Sequence, residues 1–211
     1  MPNYVENRII MEGIEDLPLY EKWEFDFNKL IPMPESLNVT AGSTNDEDIY
    51  IYLSEMFTKD IVNDPLAKKL ITNMFDDNFV LTIGERCKKL SLEDTILAQR
   101  YRSGKQLVEN YQKYGYTTWY DWCNANWGTK WNASYTSIGD GSVTFLTASD
   151  APKPIFEELS KRYPDKLIRV KARYDEGYTL RADYQGGECI KAYSAAAERF
   201  FFGTSANVSE G

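Results

Sequence analysis

Hydrophobic and polar positions along the chain change period several times, and each change predicts an element. Tyr4 to Met11 has strand composition, broken at Glu12-Gly13. Over 23–31 the apolar residues Trp23, Phe25 and Phe27 alternate with polar ones, which predicts a half-buried strand that Pro32 and Pro34 then close. A loop over 36–45 follows, and the period lengthens to that of helices. Asn45-Asp46-Glu47-Asp48 precedes Ile49, Tyr52, Leu53 and Met56 on one helical face. Asp64-Pro65 opens a second helix bearing Leu66, Leu70, Ile71, Met74 and Phe75. Ser91-Leu92-Glu93-Asp94 opens a third, with Ile96, Leu97, Tyr101, Leu107, Val108 and Tyr111, a weak point at Ser103-Gly104 and an end near Tyr114-Gly115.

From residue 131 the pattern returns to strands. Trp131 to Ser137 and Ser142 to Ala148 flank the hairpin signal Ile138-Gly139-Asp140-Gly141. Pro152 and Pro154 introduce a helix with Ile155, Phe156, Leu159 and Tyr163. Over 166–174, Ile168, Val170 and Ala172 alternate with Arg169, Lys171 and Arg173, and a turn at Asp175-Glu176-Gly177 leads into a strand from Tyr178 to Tyr184. The tail from Gly203 to Gly211 is small, polar and expected to fray. These elements predict a single α+β domain over 1–211, an antiparallel sheet with helices packed on one face. Its core is expected to be ferredoxin-like, with sheet from 1–31 and 130–185 and a helical insertion over about 45–115.

Between helices and strands lies the run Trp119-Tyr120-Asp121-Trp122-Cys123-Asn124-Ala125-Asn126-Trp127-Gly128-Thr129-Lys130-Trp131-Asn132, which holds four of the five tryptophans. Such a cluster is either a packing nucleus or a recognition surface. The expectation is a structural motif of Trp119, Trp122, Asn126, Trp127, Gly128, Lys130 and Trp131, because clustered aromatic rings usually pack inward.

Composition narrows the chemistry. There is no histidine, which removes Ser-His-Asp and Cys-His catalysis and any histidine-ligated metal. Cys87, Cys123 and Cys189 are widely spaced and read as reduced thiols. The carboxylate pairs Asp76-Asp77, Glu93-Asp94 and Asp175-Glu176 keep a carboxylate-based hydrolase as a distant alternative, but no catalytic motif stands out. No cofactor, metal or membrane span is expected. The first residues show no basic region followed by an apolar core, so a cytoplasmic location is expected.

The net charge of −8 is uneven: residues 1–60 hold 13 acids against 4 bases, and the remainder holds 19 against 20. An acidic lobe disfavours nonspecific binding to phosphates and favours a basic protein partner, with Asp46, Glu47 and Asp48 as the candidate contact. The opposite reading uses Arg169, Lys171 and Arg173, beside Tyr174, Tyr178 and Tyr184, as a single-stranded nucleic-acid surface. Lysine and arginine also guard exposed sheet surfaces, so alternation alone does not select between them.

Several stretches resemble the YubB-like, or Api-type, proteins of plasmids and phages, which have a ferredoxin-like C-terminal domain. They are Met1-Pro2-Asn3 with Asn7, Phe25-Asp26-Phe27-Asn28-Lys29-Leu30-Ile31-Pro32-Met33-Pro34-Glu35, Asn126-Trp127-Gly128-Thr129-Lys130-Trp131-Asn132-Ala133, and Phe145-Leu146-Thr147-Ala148. Pro152, Pro154, Leu159-Ser160 and Asp175-Glu176-Gly177 continue the series. Tyr4-Val5 stands where the family has Trp-Cys, and Ser149-Asp150 where it has Trp-Ser. The resemblance implies a mobile-element setting, where small acidic proteins often bind a host defence protein; with no enzyme signature in the sequence, the leading expectation is a non-enzymatic accessory protein that binds a host protein. An inhibitor of a basic defence nuclease or a CRISPR-type complex fits that setting.

Overall fold

The computed structural model describes residues 3–55, 59–71, 82–85, 87, 94–175 and 177–196. In chain order the strands are β1 (Tyr4–Ile10), β2 (Tyr20–Glu21), β3 (Glu24–Phe25), β4 (Ser134–Gly139), β5 (Ser142–Ala148), β6 (Ile168–Tyr174), β7 (Tyr178–Gln185) and β8 (Glu188–Ala196). The α-helices include α1 (Asn45–Leu53), α2 (Pro65–Leu70), α3 (Asp94–Tyr114), α4 (Trp119–Asn126) and α5 (Lys153–Arg162). No helix among the described residues is long and apolar enough to cross a membrane. The chain divides into two compact units, Met1–Pro32 with Asn124–Gly211, and Met33–Cys123. The second is wider than the insertion expected over 45–115.

The first unit is built on a six-stranded sheet in the order β4-β5-β1-β6-β7-β8, with every neighbouring pair antiparallel. Within it, β4, β5 and β6, with α5 before β6, supply the β-β-α-β part of a ferredoxin-like order, and β1 lies between β5 and β6. The period-two pattern places Val5 and Ile9 of β1, Val143 and Phe145 of β5, and Ile168, Val170 and Ala172 of β6 on one buried face. Ile155, Phe156 and Leu159 of α5 are buried with them, and the Phe156 ring lies 5.8 Å from that of Tyr184. Asn7 is the polar member of this face. Its Nδ2 donates to Val5 O at 3.0 Å and to Thr147 Oγ1 at 2.7 Å.

Two sequence expectations need correction here. The strand predicted over 23–31 shrinks to β3, because Asp26 turns the chain. Its carboxylate accepts from the Asn28 backbone N–H at 3.0 Å and caps a 3-10 turn over Phe27–Lys29, a local bond that competes with a sheet ladder. Trp23 is therefore not a core residue. It occupies the two-residue β2–β3 turn with Lys22, and both have positive φ (50° and 72°). For non-glycine residues this backbone region costs about 1–2 kcal/mol each. A strand beyond those expected follows Tyr184: Gly186 and Gly187, both at positive φ, turn β7 into β8.

The helical unit gathers Ile49 and Ile51 of α1, Ala67 and Leu70 of α2, and Leu107 and Val108 of α3 into one buried cluster. Pro65 begins α2, and Asp64 Oδ1 caps it by accepting from the backbone N–H groups of Leu66 (2.8 Å) and Ala67 (2.9 Å). The expected weak point at Ser103-Gly104 is not a break, since α3 runs through it. A Cβ on Gly104 would lie 1.9 Å from the Asp48 carbonyl oxygen and 2.9 Å from Tyr52 Cβ, so glycine lets α3 approach the α1 backbone. The expectations at Met56, Met74, Phe75, Asp76-Asp77, Ser91 to Glu93, Glu176 and 203–211 lie outside the described residues.

Candidate functional site

Three groups of residues were candidates, and the structure gives each a different character. In the tryptophan run, the boundary between the units falls inside α4, between Cys123 and Asn124. Trp119 and Trp122 thus belong to the helical unit, partly buried and buried respectively. Cys123 beside them is buried, and desolvation pushes its thiol pKa up to about 12, as for an inert core residue. Asn126, Trp127, Gly128, Lys130 and Trp131 belong to the sheet unit. Trp127 is only 3% exposed there; Lys130 and Trp131 are partly buried.

Within the sheet unit this segment joins the stretch from Phe25 to Ile31. The Trp127 ring meets the Phe27 ring edge-on at 5.7 Å, and its Nε1 donates to Ile31 O at 2.9 Å. Asn132 Nδ2 donates to Asp26 Oδ1 at 2.6 Å, while Asn132 Oδ1 accepts from the Phe27 N–H at 2.8 Å. Phe145 of β5 lies below, with ring centroids 5.1 Å from Phe25 and 5.8 Å from Phe27. Thr129 Oγ1 donates to Ala148 O at 2.7 Å. Gly128, at φ 76°, leaves room for Pro154: an added Cβ would stand 2.9 Å from its Cδ. The motifs read from the sequence therefore meet in space, and their contacts are those of a packing joint.

The acidic candidate is largely internal. Glu47 and Asp48 are buried, and Asp46 is partly buried. Arg100 Nη1 donates to Glu47 Oε2 at 2.8 Å, and Arg100 Nε lies 3.1 Å from Asp48 Oδ1. The expectation that these three acids form a contact surface is corrected for Glu47 and Asp48, which are buried. Helical periodicity turns both toward α3, and a buried carboxylate requires a cation. Burial raises the Asp48 pKa above the ordinary carboxylate value; Ser103 and Arg100 oppose that shift and Glu47 adds to it. A carboxyl with a raised folded-state pKa favours folding fully below its unfolded value, and that contribution is lost as pH rises through the folded one. Asp48→Asn should therefore gain stability relative to the parent as pH rises from about 4 to 7. Urea midpoints at the two pH values check this, and a pH-independent difference would contradict it.

The third candidate is uncovered. Arg169, Lys171 and Arg173 point away from the buried face and are exposed. They are not edge guards, because β6 lies between β1 and β7. Register extends their face across the sheet. Thr144, Arg8, Lys171, Arg181 and Tyr193 form one row over β5, β1, β6, β7 and β8. Adjacent rows add Glu6 with Arg173, and Arg169 with Asp183 and Lys191. Five cations on β1, β6 and β7 thus face two carboxylates, and one pair is closed, Arg173 to Glu6 at 3.1 Å. Among the described residues, Arg169 and Lys171 have no carboxylate partner.

The aromatic part of this face differs from the expectation. Tyr174 and Tyr184 are buried on the opposite face, and Tyr178 stacks on Tyr174 at 4.0 Å. Burial, first among the causes, raises both buried phenols, with Asp150 adding to the shift at Tyr174 through a hydrogen bond. The exposed ring is Tyr193, with the Arg181 guanidinium 5.9 Å and the Lys191 ammonium 5.8 Å from its centroid. Sequence reasoning missed Arg8, Arg181, Lys191 and Tyr193, since a face shared by non-sequential strands shows only once the strand order is known.

No family model and no curated protein matches the chain. A solved structure, a protein Api92 from Yersinia pseudotuberculosis with the family model DUF1281, is similar at a TM-score of 0.43 and 12% identity. The match covers 95% of this chain and 100% of that one. At that distance the likeness carries no argument about activity.

Proposed function

We propose that the protein binds its target without converting it, and that the uncovered sheet face takes single-stranded nucleic acid. The observation that supports this is the row Arg8, Lys171, Arg181 and Tyr193. It sets three cations and a stacking ring side by side at the inter-strand spacing of about 4.8 Å. Cations that follow a phosphate backbone, with an aromatic ring on which a base can stack, are the common elements of sequence-tolerant single-strand binding. The overall charge of −8 opposes approach, but screening confines distant charges to about 8 Å at physiological salt, so the local face dominates contact.

The acidic residues proposed for a protein partner support that reading less well. Glu47 and Asp48 already neutralise Arg100. Membership of the Api-type family, with its mobile-element and anti-defence setting, is proposed on the sequence motifs alone, and the sheet-face proposal does not depend on it.

Anisotropy of a labelled 20-nucleotide oligo-dT, titrated between 50 and 300 mM salt, tests the reading. Binding should weaken with salt with a slope of about −0.7 per phosphate contact, so about −2 to −3 for three to four cations. Absence of binding at 50 mM salt would remove nucleic acid as the ligand.

A further inference from the structure

We infer that Asp183 makes the sheet face selective for guanine: a guanine stacked on Tyr193 gives its two adjacent Watson–Crick donors to the Asp183 carboxylate. The inference rests on the reading of this face as a single-strand surface, and assigns a base preference to one position on it. Register sets four side chains at the corners of a square on β7 and β8. Arg181 stands opposite Tyr193, and Asp183, two residues further along β7, stands opposite Lys191. The Tyr193 ring is half exposed, 5.9 Å from the Arg181 guanidinium and 5.8 Å from the Lys191 ammonium. It is thus held between the two corners that adjoin Asp183. Diagonal positions in an antiparallel pair are about 7–8 Å apart, a span that a base lying on the ring can cover with its edge.

Asp183 has no evident structural task. The other carboxylate of the face, Glu6, closes on Arg173 at 3.1 Å. Asp183 stands directly opposite Arg169 on one side and Lys191 on the other, yet among the described residues its carboxylate bonds to neither. A face that only followed phosphates would gain nothing from a carboxylate at its centre, which repels them. A carboxylate accepts hydrogen bonds and cannot donate, and its two oxygens can take two parallel N–H donors at once. Guanine alone among the common bases carries two donors side by side on its Watson–Crick edge, N1–H and the N2 amino group. Cytosine and adenine set one amino group beside a ring-nitrogen acceptor, and thymine sets N3–H between two carbonyls, so each brings a lone pair against the carboxylate. Splayed single strands are read on these edges while they stack on aromatic rings.

Anisotropy titrations of the full chain at 50 mM salt should compare four labelled strands of about 12 nucleotides, long enough to span the face. One is oligo-dT; in the others every third thymine is replaced by guanine, cytosine or hypoxanthine, which keeps N1–H and lacks the N2 amino group. The guanine strand should bind about tenfold more tightly than oligo-dT, the discrimination of one bidentate contact. The cytosine and hypoxanthine strands should lose most of that gain. Asp183→Thr keeps a strand-forming residue and removes the paired acceptors: it should abolish the guanine preference while oligo-dT binding is kept or strengthened. Tyr193→Ser should weaken all four strands. Equal binding of the guanine and hypoxanthine strands, a guanine preference that survives Asp183→Thr, or oligo-dT binding as tight as that of the guanine strand would overturn the guanine site and leave the sheet-face reading standing. Binding of none of the four strands would overturn both.

Discussion

Trp127→Ala is expected to destabilise the sheet unit by about 3–5 kcal/mol, the range for truncating a fully packed large aromatic side chain. The ring is buried, meets Phe27 edge-on, and bonds Ile31 O through Nε1, so the substitution removes packing and orphans a carbonyl together. In a chain of this length that corresponds to a midpoint about 10 °C lower. Trp127→Phe separates the contributions: it keeps most of the ring and loses the N–H, and should cost about 1–2 kcal/mol. Denaturant unfolding followed by near-ultraviolet circular dichroism reads both. A Trp127→Ala variant within 1 kcal/mol of the parent, roughly the cost of a surface change, would show that the joint does not depend on this ring.

Gly104→Ala should also destabilise, although alanine is favoured over glycine by about 1 kcal/mol inside a helix. The new Cβ meets the Asp48 carbonyl oxygen at 1.9 Å and its carbon at 2.5 Å. Those are backbone atoms of α1, which cannot rotate aside, so the two helices must separate. Separation loosens the buried cluster around Ile49, Ile51, Leu107 and Val108 and stretches the Arg100 pairs with Glu47 and Asp48. Overpacking of this kind costs about 1–3 kcal/mol or more, which exceeds the propensity gain. Differential scanning calorimetry should show a lower midpoint for the helical unit. A raised midpoint would mean that α1 and α3 do not approach as closely as Gly104 implies.

The elements that were legible in the sequence are those whose side chains alternate or repeat without interruption. The basic alternation over β6 gave the strand, its exposed face and three of its residues. The Asn-Trp-Gly-Thr segment was legible as a packing motif because four large rings in thirteen residues are hard to leave exposed. Trp23, Phe25 and Phe27 misled, since alternation counts side chains and does not register that Asp26 can satisfy the backbone locally. The Gly186-Gly187 pair did carry a hairpin signal for β8, but Glu188 to Ala196 lacks the clean alternation that would have confirmed it. Glu47 and Asp48 were read as surface charge for a similar reason. Their burial depends on Arg100, a residue 53 positions away from Glu47 that local patterns cannot reach. The row from Arg8 to Tyr193 depends on strand order and is invisible to any window along the chain.

The most direct measurement for the central claim compares oligo-dT affinity of the parent with that of Lys171→Glu/Arg181→Glu at 50 mM salt. Both residues lie on the uncovered face, and their side chains contribute nothing to the buried core, so the variant should fold with an unchanged circular dichroism spectrum. If the sheet face binds nucleic acid, affinity falls at least tenfold and the salt slope shrinks by about 1.4, the loss of two phosphate contacts. Equal affinity and slope in the folded variant would contradict it.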